Sequence, residues 1–229
     1  KKIQLKGENG KIYFGWYIVI MGLLLMAIGY SCAVSIAGVF ILPVTTELNI
    51  QIGDFVVWTT IMSVVSMLYL AIASKYYNAK TIKPIMVACA VLGAVGFFGF
   101  SRAEAVWHFY LFAVPMGICF GGLTATPASV LVNNWFGPRC RGVAQALVFS
   151  GTSVICMGLI PLANYIVTAF GWRIAYLCVA IGLIVICIPV VLLCAVWSPA
   201  EKGMKQMGRA EEAADAGESE VQGIPFTAG

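Results

Sequence analysis

The chain alternates long apolar stretches with short polar segments. Six stretches contain no Asp, Glu, Lys or Arg: Ile12–Thr46, Phe55–Ser74, Pro84–Ser101, Ala105–Pro138, Gly142–Trp172 and Ile174–Ala200. A helix that crosses a bilayer needs about 20 mostly apolar residues, and only the third stretch is near the lower limit. Because lipid offers no hydrogen bonds to backbone amides, each stretch must be helical. The pattern predicts an all-α fold, a polytopic membrane bundle of six transmembrane helices.

The composition supports a membrane protein. Hydrophobic residues make up 61% of the chain and charged residues 10%, whereas a soluble domain carries about 25% charged residues. The basic start of the chain would also suit a cleaved signal peptide, but the apolar core of a signal peptide is only about 7–15 residues long. The first stretch is much longer, which favours a retained helix.

The basic residues predict the orientation of the bundle. All but two of the 14 Lys and Arg residues fall on one side of the six predicted spans, and the exceptions are Arg102 and Arg173. Short loops rich in Lys and Arg stay in the cytoplasm. We therefore predict a multi-pass protein of the plasma membrane with both termini cytoplasmic. The net charge of +4 is then explained by the basic residues on the predicted cytoplasmic side and does not indicate a nucleic-acid partner.

Charge and turn residues divide the chain into three parts. We predict a cytoplasmic N-terminal segment at 1–13, the bundle at 14–197, and a flexible cytoplasmic linker or tail at 198–229. The last part combines low hydrophobicity with high charge, which is typical of segments that cannot bury a core. Within the bundle, the first helix is predicted from Trp16 to Leu42, because Pro43 lacks the amide that would continue it.

Metal, redox and catalytic chemistry are not indicated. Seven of the eight cysteines lie inside apolar stretches, and no CxxC pair occurs. Catalysis would need clustered His, Asp, Glu or Ser–His pairs, which the spans do not contain. We therefore predict no enzyme, no catalytic residue, no metal and no cofactor. Small residues at four-residue spacing, such as Gly117 and Gly121, predict close helix contacts instead.

The most specific motif lies between the fourth and sixth predicted helices. Residues 133–151 read N-N-W-F-G-P-R-C-R-G-V-A-Q-A-L-V-F-S-G, and a Gly-Trp-Arg turn follows at 171–173. This segment resembles the major facilitator superfamily, and within it the monocarboxylate and oxalate/formate antiporter branch. The loop between the second and third helices departs from the family pattern, since 73–80 lacks the usual Asp and two Gly.

The resemblance implies half of a twelve-helix fold, because these transporters consist of two six-helix halves. The expected partners are the lipid bilayer, a small organic anion, and a C-terminal six-helix half or a second copy of the chain. The implied function is secondary active transport of a monocarboxylate-like anion by alternating access. Two alternatives stay open: a transporter of a neutral metabolite or drug-like solute, and a membrane scaffold that does not transport.

The resemblance also implies a cavity lined by the first and fourth helices. No charged residue lies in mid-membrane, so the candidate substrate-binding residues are neutral. Ser31, Ser35 and Gly38 share one face at α-helical spacing, although Ser and Thr can instead bond to their own helix. The candidate substrate-binding residues are Tyr30, Ser31, Ser35, Thr124 and Gln145.

Two pairs of residues are candidates for gating. Pro127 and Pro161 would free backbone carbonyls in mid-helix and could serve as bend points. Arg139 and Arg141 could contact the other half at a cytoplasmic gate. These arginines have two alternative roles: determinants of topology, and partners of carbonyls at a helix C-terminus.

Overall fold

The computed structural model describes residues 14–78 and 80–194. The segments predicted at 1–13 and 198–229 lie outside the described residues. Six helices are long and apolar enough to cross a membrane: α1 Gly15–Leu48, α2 Ile52–Ala73, α3 Ile82–Ser101, α4 Val106–Trp135, α5 Cys140–Phe170 and α6 Trp172–Leu193. Each corresponds to one of the apolar stretches, so the prediction of a six-span all-α fold is confirmed.

The connections between helices are short. A single 3₁₀ turn, Ser74–Tyr76, follows α2. Only four residues, 102–105, connect the end of α3 to the start of α4. Gly171 joins α5 to α6 with φ +87°, a left-handed conformation that glycine adopts without a steric penalty. Because the connections are short, consecutive helices run in opposite directions. We call the end with Lys75, Lys80 and Arg141 the predicted cytoplasmic end and the end with Glu47 and Arg173 the predicted external end.

The prediction that Pro43 ends the first helix is wrong. Helix α1 continues through Pro43 to Leu48. Proline removes only one amide donor, and the helix on either side of it is held by packing: Phe40 and Val44 are both buried, and the Phe40 ring stacks on Tyr176 with 3.9 Å between centroids. The helix ends instead at Asn49, which takes the left-handed conformation of a C-cap.

Helix α4 packs between α2 and α3, α3 also packs on α6, and α5 packs on α1 and α6. The contact of α4 with α2 is very close. A Cβ atom added to Gly117 would lie 2.7 Å from the Met62 carbonyl oxygen and 2.7 Å from Val65 Cβ. The predicted Gly117–Gly121 contact face is therefore confirmed.

Helices α2 and α5 present the least buried surfaces of the bundle. Met67 on α2 is 76% exposed, and Met157 on α5 is 80% exposed. Both helices expose rows of apolar side chains, which suit lipid or another membrane-embedded surface. The core lies on their opposite faces and on α1, α3, α4 and α6.

Candidate functional site

Three helices lose regular α-helical geometry within their spans. Helix α1 is π-helical over Met26–Ser35, and α6 is π-helical over Leu183–Cys187. Helix α4 is interrupted at Thr124, whose φ of −97° and ψ of −122° are not helical. Pro127 follows three residues later, where it has no amide to donate to the carbonyl of Leu123. Irregular turns of this kind recur at functional sites in helices.

The interruptions of α1 and α4 lie next to each other. The methyl group of Thr124 faces Gly29, where an added Cβ would lie 3.2 Å from it. Thr124 is buried, and its hydroxyl donates to the carbonyl of Phe120 one turn earlier. The side chain therefore packs at the α1–α4 contact and bonds to its own helix, which was the alternative role for any single hydroxyl.

Ser31 is fully buried on α1 and faces α5. The Cys156 thiol donates to its Oγ at 3.0 Å, and its carbonyl accepts the amide of Ile36, five residues on, at 2.9 Å. This i to i+5 bond belongs to the π-helix, so the α-helical spacing that placed Ser31, Ser35 and Gly38 on one face does not apply here. Ser31 is buried, Ser35 is half-buried, and Gly38 is exposed.

Tyr30 and Ser35 are the predicted residues of α1 that remain partly accessible. The Tyr30 ring lies 5.7 Å from that of Phe120 on α4, so it covers the same α1–α4 contact as Thr124. Ser35 lies next to the exposed Val34 at the end of the π-helical segment. Of the five candidates, Ser31 and Thr124 are buried, and Tyr30, Ser35 and Gln145 are half-buried.

Gln145 joins α5 to α4 near the predicted cytoplasmic end. Its Nε2 donates to Asn133 Oδ1 at 2.8 Å, and Arg141 Nη2 donates to the Asn133 carbonyl at 3.4 Å. The backbone of Arg139 belongs to the helix Pro138–Phe170, but its side chain lies outside the described part of the structure. Asn133 was quoted in the motif but not predicted as a site residue.

Pro161 does not interrupt α5. The helix runs without a break from Pro138 to Phe170, and Pro161 is exposed within it. Among the two predicted bend points, only Pro127 lies beside an interruption of the helix.

Sequence reasoning missed a polar clasp at the predicted external end. Glu47 at the end of α1 accepts hydrogen bonds from Trp172 Nε1, at 2.6 Å, and from Arg173 Nη1. Arg173 Nη2 also donates to the Ala103 carbonyl at 3.4 Å, and its guanidinium lies 4.3 Å from the centroid of the Trp172 ring. The clasp joins α1, the α3–α4 turn and α6. The only signal in the sequence was that Glu47 and Arg173 carry opposite charges on the same predicted side.

These geometries describe a neutral polar interior with charges at both ends. Within residues 14–78 and 80–194, the acidic side chains are Glu47, Asp54 and Glu104, all at the predicted external end. An anion bound in mid-membrane would meet hydroxyl and aromatic groups from these helices, and a counter-charge would have to come from elsewhere.

Several curated proteins that are similar in sequence to this chain are monocarboxylate transporters. The chain is 25% identical to human monocarboxylate transporter 2 over 167 residues, which cover 71% of the chain and 34% of that protein. It is 23% identical to rat monocarboxylate transporter 1 over 208 residues, 91% of the chain and 42% of that protein. It is 28% identical to chicken monocarboxylate transporter 3 over 209 residues, 88% of the chain and 36% of that protein.

The chain thus spans less than half the length of these relatives. The family model described as Major Facilitator Superfamily matches residues 19–223, which include all but the first turn of the six-helix bundle. Together with the six spans, this match identifies the chain as a member of the Major Facilitator Superfamily of membrane transporters.

Proposed function

We propose that this chain forms the N-terminal half of a secondary active transporter for a small monocarboxylate-like anion. The observation that carries the proposal is the similarity of most of the chain to proteins named monocarboxylate transporters. The exposed apolar faces of α2 and α5 support a second six-helix unit packed against them. The lack of charged residues in the middle of the six described spans is consistent with a cationic binding residue supplied by that unit.

Within this half, we propose that Tyr30 and Ser35 contact the substrate path. Ser31, Thr124 and Gln145 would act indirectly, because their polar atoms already bond to protein groups. The non-helical Thr124, together with Pro127, would let the two parts of α4 change their angle during alternating access. Pro161 would contribute bending only in another conformation. Arg139 and Arg141 would contact the opposing half at the cytoplasmic gate.

The decisive experiment is uptake into liposomes by the full-length protein that contains this chain. Lactate and its neutral analogue lactamide form a matched pair of equal shape, and formate and oxalate extend the series in size and charge. We expect saturable uptake of lactate that unlabelled lactate inhibits and lactamide does not. Preference for lactamide would favour a neutral solute, and no flux of any compound would favour a scaffold.

Two separate experiments test the predicted orientation of the bundle and whether this chain transports on its own. A reporter fused after Arg209 should be active only in the cytoplasm, because nearly all basic residues lie on that side. The 229-residue chain alone should not catalyse uptake, because it lacks an opposing wall. Flux through liposomes that contain only this chain would instead support a homodimer of half-size units.

A further inference from the structure

Helix α4 changes its packing partners where it is interrupted. Its first part, Val106–Leu123, packs mainly on α2 and α3 and also touches the π-helical segment of α1. Its second part, Ala125–Trp135, packs on the first turns of α1 and on α5. We call the interruption at Thr124 the joint. A change of angle at the joint would move one group of helices relative to the other.

The backbone just before the joint is enclosed by Tyr69 of α2 and Cys89 of α3. A Cβ atom added to Gly122 would overlap Cys89 Sγ and lie 2.9 Å from the Tyr69 hydroxyl oxygen. A Cβ atom added to Gly121 would lie 3.0 Å from Cδ1 of the same tyrosine. The Tyr69 hydroxyl and the Cys89 thiol share a hydrogen bond of 3.3 Å. The Tyr69–Cys89 pair therefore links α2 to α3 directly against the backbone of α4.

The backbone just after the joint is held by fewer hydrogen bonds. A helix that begins at Ala125 leaves its first amides without acceptors inside that helix, and Pro127 has no amide to donate. The amide of Ala128 reaches the Thr124 carbonyl at 3.4 Å, which is longer than the usual 2.9–3.0 Å or so. The two sides of the joint thus differ: one is enclosed by the Tyr69–Cys89 pair, and the other is weakly bonded.

We propose that Tyr69 and Cys89 are positioning residues, which hold α2, α3 and the first part of α4 together as far as the joint. Bending of α4 is then confined to the stretch from Thr124 to Pro127. Without the hydrogen bond, the two side chains no longer hold each other against Gly122, and the bending stretch extends back into the first part. The part that this plays in transport rests on the proposed function, whereas the effect on the joint does not.

Hydrogen–deuterium exchange with mass spectrometry tests the effect on the joint, in nanodiscs that hold the full-length protein containing this chain. Y69F and C89A each remove the hydrogen bond, whereas C89S retains a group that can donate and accept. We expect deuterium uptake in residues 119–128 to become several-fold faster in Y69F and C89A and to stay near the unaltered rate in C89S. Uptake in residues 106–116 should not change in any variant.

Matched controls come from exposed residues of the same types. Tyr165 and Cys178 are both exposed, so Y165F and C178A should leave exchange in 119–128 unchanged. Unchanged exchange there in Y69F and C89A would overturn the proposal. Faster exchange in all peptides alike would also overturn it, because the pair would then only stabilise the fold. If C89S behaved like C89A, the hydrogen bond would not be what holds the joint.

Lactate uptake by the same variants gives a second readout. We expect kcat to fall several-fold in Y69F and C89A while KM stays within about twofold, because a conformational step is altered and substrate binding is not. A raised KM at unchanged kcat would contradict the positioning role. If the unaltered full-length protein takes up no lactate, the proposed function fails, and the exchange pattern by itself confirms or overturns the role of the pair at the joint.

Discussion

The contact between α2 and α4 gives the sharpest test of the packing. Replacing Gly117 with Ala adds one methyl group at a position where its Cβ would lie 2.7 Å from both the Met62 carbonyl oxygen and Val65 Cβ. Neither neighbour can rotate away, because one is backbone and the other is the branch point of a β-branched side chain. The two helices must move apart to accept the methyl group.

The expected size of the effect follows from a matched glycine on α5. Gly158 is also helical, but an added Cβ would meet nothing within 4 Å. Both substitutions gain helix propensity, at most about 1 kcal/mol, so the difference between them isolates the overpacking. Overpacking typically costs about 1–3 kcal/mol. Gly121, whose added Cβ would lie 3.0 Å from Ser66 Oγ, should give an intermediate cost because a serine hydroxyl can turn aside.

The measurement is the thermal unfolding midpoint of the purified chain in detergent. For proteins of this size, about 1 kcal/mol corresponds to roughly 2–4 °C. We expect G117A to unfold about 2–12 °C below G158A, by the same conversion, with G121A between them. If G117A is as stable as G158A, the helices do not approach closely at Gly117 and the α2–α4 contact described above is incorrect.

Two further predictions concern polar links between helices. Glu47→Gln should lower the unfolding free energy by only about 0.2–1 kcal/mol, because the ion pair with Arg173 is exposed on both sides. Thermal unfolding of E47Q, R173Q and the double variant would reveal the coupling, and strictly additive losses would mean that the Glu47–Arg173 pair contributes nothing. Gln145→Leu should cost about 1 kcal/mol, because Asn133 loses its partner; equal stability of Q145L and the control L147A would contradict that bond.

The spans could be predicted because hydrophobicity is a local property of the sequence. Lipid leaves a long apolar stretch no alternative to a helix, and the connection at Gly171 is indicated by a glycine close to a charged residue. The six helices and their short connections therefore follow from the sequence alone. The close-contact face at Gly117 and Gly121 could also be predicted, because small residues at four-residue spacing let helix backbones approach, but its partner helix α2 could not.

The end of α1 could not be predicted, because a local rule was outweighed by distant contacts. Proline alone favours a break, but the ring of Tyr176 lies more than a hundred residues away in sequence and stacks on Phe40 just before Pro43. Local sequence also gives no sign of the π-helical turns, which depend on how neighbouring helices pack. The Glu47 clasp has the same origin, since its members come together only after the bundle forms.

Thr124 shows why candidate site residues are harder to predict than spans. Its polarity and its place on α4 suggested a side chain that faces a cavity, yet in the structure it is buried, packs beside Gly29 and bonds to Phe120. A hydroxyl in an apolar helix can donate a hydrogen bond to a carbonyl of the same helix. The polarity of the residue alone therefore does not say whether it faces a substrate. What distinguishes the two roles is the backbone around the residue. The non-helical conformation of Thr124 makes the joint between the two parts of α4, more than the hydroxyl itself, the feature of this residue that transport could use.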